Sequence, residues 1–179
     1  MHNGFMEKSL TIKRISRNAI YLAMLCVIGM FAVPLGDNVK VSLQLLMVFI
    51  IGLTAASFID TLVVTSLYLL LGLFLPIYAG FNAGVSPTFG YVISFVIISI
   101  PLYFLNKLKI KNEFIRMGIA CLVSLLIVYL IGTLFLMFYL NLSIEKALLF
   151  SVVPYLPFDI AKIVIAVLVV SLLPKKYSN

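Results

Sequence analysis

The chain has 179 residues, of which 64% are hydrophobic and 11% charged, with a mean hydropathy of +1.23 and a formal net charge of +7. Soluble domains are about 45–50% apolar and about 25% charged, so the composition excludes an ordinary soluble enzyme and points to an integral membrane protein. At roughly 20 residues per helical span, about six spans fit with short loops, leaving no room for a soluble catalytic domain.

The alternating segments of about ten residues that build a transmembrane barrel are absent, which leaves helices as the way to satisfy the backbone in lipid. The positive charge does not read as a nucleic-acid surface, because the basic residues flank the apolar runs. The expected fold class is therefore all-α, a single membrane domain over residues 1–179 with six transmembrane helices.

Residues 1–15 are polar and basic, and His2, the sole histidine, lies there. The first apolar run is long and lacks a clean small-residue cleavage site, so it is expected to be a retained span rather than a signal peptide. That span is expected over 16–33, flanked by Lys8, Lys13, Arg14 and Arg17. Ala19 and Ala23 lie four apart on one face, where small side chains let another helix approach closely. A short polar loop, 34–40, precedes a second span over 41–57. Gln44 near its start must face protein, water or ligand, because an unbonded amide in hydrocarbon is costly.

Asp60 is expected to mark a tight turn before a third span over 62–75. The stretch from Tyr68 to Tyr91, YLLLGLFLPIYAGFNAGVSPTFGY, then breaks at Pro76 into a loop rich in Gly, Pro, Ser and Asn. Its small side chains and its one amide, Asn82, suit a ligand lid or a close turn. A fourth span covers 88–105, with Pro101 expected to kink it. The most basic loop follows, with Lys107, Lys109, Lys111 and Arg116. A fifth span covers 117–140, then a Pro-broken external segment, then a sixth span over 157–173. Cys26 and Cys121 lie inside apolar runs without ligand spacing and read as small core residues.

Six spans put both termini on one side. That side carries ten lysines and arginines against two, Lys40 and Lys146, on the other, so the termini are expected to be cytoplasmic. The loops 34–40, 76–87 and 141–156 are then external.

Asp159 and Lys162 are the only opposite charges close together in a predicted span. Three apart on a helix, they share a face, and ionisable residues at membrane depth are functional hypotheses by default. A self-neutralising structural pair is the alternative. As a ligand site, Lys162 attracts an anion such as a carboxylate while Asp159 accepts from an N–H or O–H. By topology Gln44, Asn82, Asp159 and Lys162 converge on one external-facing region. The aromatics Tyr68, Tyr78, Phe81, Tyr91 and Tyr155 are candidate walls of a small-molecule site. The sequence contains no Walker motif, metal cluster or nucleophile–base set, so no catalytic residues, metal or cofactor are expected and any ATP hydrolysis must come from a partner.

At these residues the sequence resembles the BioY family, the biotin-specific substrate-binding (S) components of energy-coupling factor (ECF) transporters. The resemblance rests on SLQ at Ser42–Gln44, YLLLGLFLPIYAGFNAG from Tyr68 to Gly84, SPTFGY at Ser86–Tyr91 and PFDIAK at Pro157–Lys162. It implies the S-component fold and capture of a vitamin, biotin first, at the outer face of the cell membrane. It also implies that Asn82 and Asp159 bind the fused ring system, with Lys162 helping to hold the ligand and Tyr91 and Gln44 as further contacts. Ala19 and Ala23 match a face that docks on a transmembrane coupling protein, itself joined to two ATPases. Ser86 and Phe89 depart from the family pattern. Phe89 puts bulk where Gly is usual, which implies a reshaped pocket and admits another carboxylate vitamin such as lipoate. The residues alone also leave open a self-sufficient secondary transporter or channel and a ligand-free structural subunit; an intramembrane enzyme has no catalytic constellation to support it.

Overall fold

The computed structural model describes residues 2–34 and 40–173, with side chains described from Thr11 to Val33 and from Val41 to Leu173. The loop residues Gly36, Asp37 and Asn38 and the closing Pro174, Lys175 and Lys176 lie outside the described residues, as do the side chains of His2 and Lys8. Helices dominate. In chain order they are α1 (His2–Met30), α2 (Gln44–Thr54), α3 (Phe58–Gly72), α4 (Phe89–Ile97), α5 (Ser99–Leu105), α6 (Glu113–Leu140), α7 (Ile144–Ser151) and α8 (Leu156–Leu172). Two short strands, β1 (Ala32–Pro34) and β2 (Lys40–Ser42), pair antiparallel between α1 and α2.

The six apolar runs lie mainly on helix, but two segments depart from expectation. The residues flanking the first loop are a hairpin, with Ala32 opposite Ser42 and Val33 opposite Val41. The segment after the fifth run is not merely a loop, because it holds α7, which meets α8 at a bend of 48°. Pro154 and Pro157 account for that break. Pro157 also suits the first turn of α8, where its missing N–H costs nothing. The fourth run divides at Ile98, between α4 and α5. Pro101 lies four residues beyond Ile97, so its ring opposes the Ile97 carbonyl and its missing N–H removes the bond that would continue the helix.

Among the described residues, α6 is by itself long and apolar enough to cross a membrane, and α7 with α8 makes a second such length if the bent pair is one span. The α2, α3 and α4–α5 segments are apolar and shorter. The exterior is nonetheless apolar along the bundle: Phe74, Phe138, Leu126, Leu130 and Leu172 are all exposed. Extended apolar surface of this kind marks a membrane or a protein partner rather than water.

Nine of the eleven residues of α2 are buried, which makes it the central helix. It packs against α1, α3, α5 and α8, while α6 packs against α4, α5, α7 and α8. Cys121 is buried in this core, Cys26 is partly buried, and both are free thiols. The end of α1 holds the loop after α3: Gly80 N–H donates to the Met30 carbonyl at 2.9 Å. Below it, the Tyr78 hydroxyl donates to Leu69 O at 2.6 Å. Burial pushes the Tyr78 phenol up to about 12, so it keeps that proton at neutral pH.

Asp60 is not a turn residue. The turn lies at 55–57, Ser57 caps α3 by accepting from Ile59 N–H, and Asp60 sits in the first turn of α3. Its carboxylate is buried, because α1 covers it with donors. Arg14 Nε lies 2.6 Å and Asn18 Nδ2 2.7 Å from Oδ1, and an Arg17 Nη lies 3.5 Å from Oδ2. This ion cluster fixes α1 against α3 at the end of the bundle where both helices keep their polar residues. Asp60→Ala strands Arg17 in a half-buried site. Breaking such a pair costs about 3 kcal/mol, the low end of the buried range because Arg14 is partly solvated. A lower thermal unfolding midpoint in detergent is the expected result, and an unchanged midpoint contradicts the anchoring role.

Candidate functional site

At the opposite end of the bundle from Asp60, the described residues enclose a cavity of about 300 Å³. Its walls come from the start of α2, the loop after α3, and helices α4, α6, α7 and α8. Five of the candidate site and wall residues singled out in the sequence line it together: Gln44, Tyr91, Tyr155, Asp159 and Lys162.

The charged pair sits in the first turns of α8. Lys162 Nζ is 2.7 Å from Asp159 Oδ1, and both side chains are more than nine-tenths buried. Three features offset the cost of burying these charges. The pair neutralises itself, the positive end of the α8 dipole faces Asp159, and the Tyr129 hydroxyl donates to Asp159 Oδ2 at 2.7 Å. Unlike a surface pair, this one is shielded from salt and water, so each charge keeps its strength toward a group entering the cavity.

Gln44 is buried and bonded rather than snorkelling to an interface. Its Nε2 donates to the Tyr68 hydroxyl at 2.5 Å, and its Oε1 accepts from Ser42 Oγ at 3.2 Å. Tyr68 in turn donates to Ile77 O at 2.8 Å. Ser42, brought in by the β1–β2 hairpin, lines the cavity beside Gln44.

Tyr91 reaches across from α4 and donates to Ser151 O in α7 at 2.9 Å, while Ser151 Oγ and Thr133 Oγ1 of α6 share a hydrogen bond of 2.7 Å. The ring of Tyr91 packs against α6 at Gly132, where a Cβ would stand 2.5 Å from the ring. Glycine is required there because the space belongs to the tyrosine. Around this polar set the walls are apolar, with Leu45, Phe95, Val128 and Leu136. A small apolar chamber with a few fixed polar groups is the usual build of a small-molecule site, and about 300 Å³ is at the small end of the range.

Asn82 is not among the lining residues. It is exposed, and its Nδ2 donates to Ala79 O at 2.7 Å, Ala79 being, with Pro87, a residue of that loop that lines the cavity. The aromatic walls also differ from expectation. Tyr155 joins Tyr91 in the lining, whereas Tyr68 and Tyr78 form an edge-on pair in the core and Phe81 stands outside against Phe31. Phe89 does not fill the cavity. Its ring packs between Tyr78 and Phe135, so the bulk expected to reshape the pocket points into the core instead. Ala19 and Ala23 are exposed on α1.

The sequence reading missed Tyr129. A signal existed: Tyr129 and Thr133 lie four apart beside Gly132, a polar-capable stripe on a face of an otherwise apolar helix.

Comparison with known proteins agrees with the resemblance. Residues 6–179 match the model of the BioY family. The chain is 30% identical over 169 residues to the biotin transporter BioY of Thermotoga maritima, covering 92% of this chain and 97% of that protein. It is 29% identical over 161 residues to the probable biotin transporter BioY of Pyrococcus horikoshii, covering 88% and 93%. Both relatives are named as transporters, in keeping with a chain that is not an enzyme. Among solved structures, the crystal structure of the S component for biotin from an ECF-type ABC transporter superposes with a TM-score of 0.82. The match covers 96% of this chain and 98% of that one at 22% identity, which speaks for the fold. On the family match across nearly its whole length, the chain belongs to the BioY family.

Proposed function

We propose that this chain is the membrane-embedded substrate-binding subunit of an ECF uptake transporter and that its ligand is biotin. The observation that carries the reading is the buried Asp159–Lys162 pair opening on an apolar chamber of about 300 Å³. A cyclic urea carries N–H donors and a carbonyl acceptor side by side. Asp159 accepts from such an N–H, and Lys162, 2.7 Å away, donates to the neighbouring oxygen. The apolar walls take the remaining ring and chain, and Tyr91 and Gln44 frame them. Asn82 belongs to the same reading as part of a lid: on ligand binding it exchanges its bond to Ala79 O for one to the ring. The names of the relatives support biotin, and so does the direction of Phe89, which leaves the chamber free.

The bundle crosses the cell membrane six times, with both termini cytoplasmic and the cavity near the outer face. The basic residues of the 106–116 loop lie on the same side as Arg14 and Arg17 in this arrangement. Ala19 and Ala23, exposed on α1, form the face that docks on the transmembrane coupling protein. Two ATPase subunits bound to that protein supply the energy that reorients the loaded subunit.

Equilibrium binding to the purified protein in detergent, with biotin beside lipoate and pantothenate, tests the ligand. Biotin is expected to bind, and Asp159→Asn and Lys162→Ala are each expected to weaken it by roughly 10- to 100-fold, as loss of one charge-assisted hydrogen bond does. Folded protein that ignores biotin and binds lipoate reassigns the ligand.

The docking face has a separate readout. Ala19→Leu with Ala23→Leu is expected to leave biotin binding unchanged while abolishing co-purification with the coupling protein and ATP-driven uptake in vesicles. Uptake in vesicles without any ATPase contradicts the ECF partnership.

A further inference from the structure

The Asp159 carboxylate is held from two directions by groups of different stiffness. Lys162 lies on the same helix, three residues on, at the end of a flexible four-carbon stem. It follows the carboxylate wherever it turns. Rotation about the last torsion of an aspartate is broad rather than confined to staggered wells, so a lysine on the same helix does not by itself fix the plane of the oxygens. Tyr129 is different. It belongs to α6, its side chain is buried, its ring has few torsions, and its hydroxyl lies 2.7 Å from Asp159 Oδ2. A carboxylate offers about four lone-pair positions. The bonds from Tyr129 and Lys162 take one on each oxygen, and Tyr129, Asp159 and Lys162 all line the same cavity.

We infer that Tyr129 is a positioning residue for ligand capture: its hydroxyl sets the plane of the Asp159 carboxylate so that the remaining lone pairs face an incoming N–H donor. The inference rests on the reading of the cavity as the biotin site. It assigns part of the affinity to preorganisation rather than to a further ligand contact. Tyr129 acts through Asp159, so its contribution exists only while residue 159 is a carboxylate that needs orienting.

A double-mutant cycle on the full chain, read by equilibrium binding of biotin, tests this. Tyr129→Phe, which removes one oxygen and keeps the ring, is expected to lower affinity about tenfold in the wild-type background. In the Asp159→Asn background the same change is expected to alter affinity less than twofold. A tenfold loss in both backgrounds overturns the inference, because it makes Tyr129 a direct contact or a packing residue. No loss in the wild-type background overturns it as well. If Tyr129→Phe does not survive detergent, the same cycle is read by radiolabelled biotin binding to membranes, normalised to the amount of chain present. Wild-type protein that fails to bind biotin overturns the ligand assignment and this inference together. Wild-type binding that Tyr129→Phe leaves intact overturns this inference alone.

Discussion

A carboxylate and an ammonium held 2.7 Å apart, out of water, set the terms for the end of the bundle that holds the cavity. Taking either charge alone into a low-dielectric interior costs several kcal/mol, and leaving one behind after losing the other costs about 3–5 kcal/mol. The surroundings of the pair are arranged accordingly. Pro157 starts α8 so that Asp159 falls in the turn where the helix dipole favours a negative charge. Tyr129 adds a donor from α6. The rest of the lining is mainly apolar, which keeps the pair's field strong inside the chamber.

A second buried carboxylate, Asp60, sits at the other end of the bundle and solves the same problem differently. Its partners are Arg14, Arg17 and the Asn18 amide from α1, and Arg14 remains partly solvated. This site is an anchor rather than a chamber: it joins α1 to α3 and so holds the outward face of α1, with Ala19 and Ala23, in a defined orientation. The two acidic residues thus differ in setting, one opening on the cavity and the other holding α1 against α3.

Between these poles, much of the architecture was legible in the chain itself. Apolar runs long enough for helix coincide with most of the helical residues, and Pro101, Pro154 and Pro157 marked the breaks, because a missing N–H has the same local consequence wherever it occurs. The spacing of Asp159 and Lys162 predicted their contact, since residues three apart on a helix are neighbours without help from the rest of the fold. The two strands of three residues left no readable pattern, and neither did α7, an eight-residue helix between a polar turn and a proline. Segments so short take their structure from what they pack against.

The sequence by itself determined what is local: membrane-like composition, the helical segments and their breaks, and the charged pair on one face of the last helix. Only the tertiary structure decided which side chains share a space. It turned Phe89 into the core and Gln44 onto Tyr68. It left Asn82 bonded to Ala79 O outside the chamber, and it brought Tyr129 to an aspartate thirty residues away. The physical reason is that contacts between helices depend on rotation and depth in the bundle. Both are set by the summed packing of the helix faces, and here by one glycine, Gly132, that lets Tyr91 lie against α6. No single stretch of the chain contains that information.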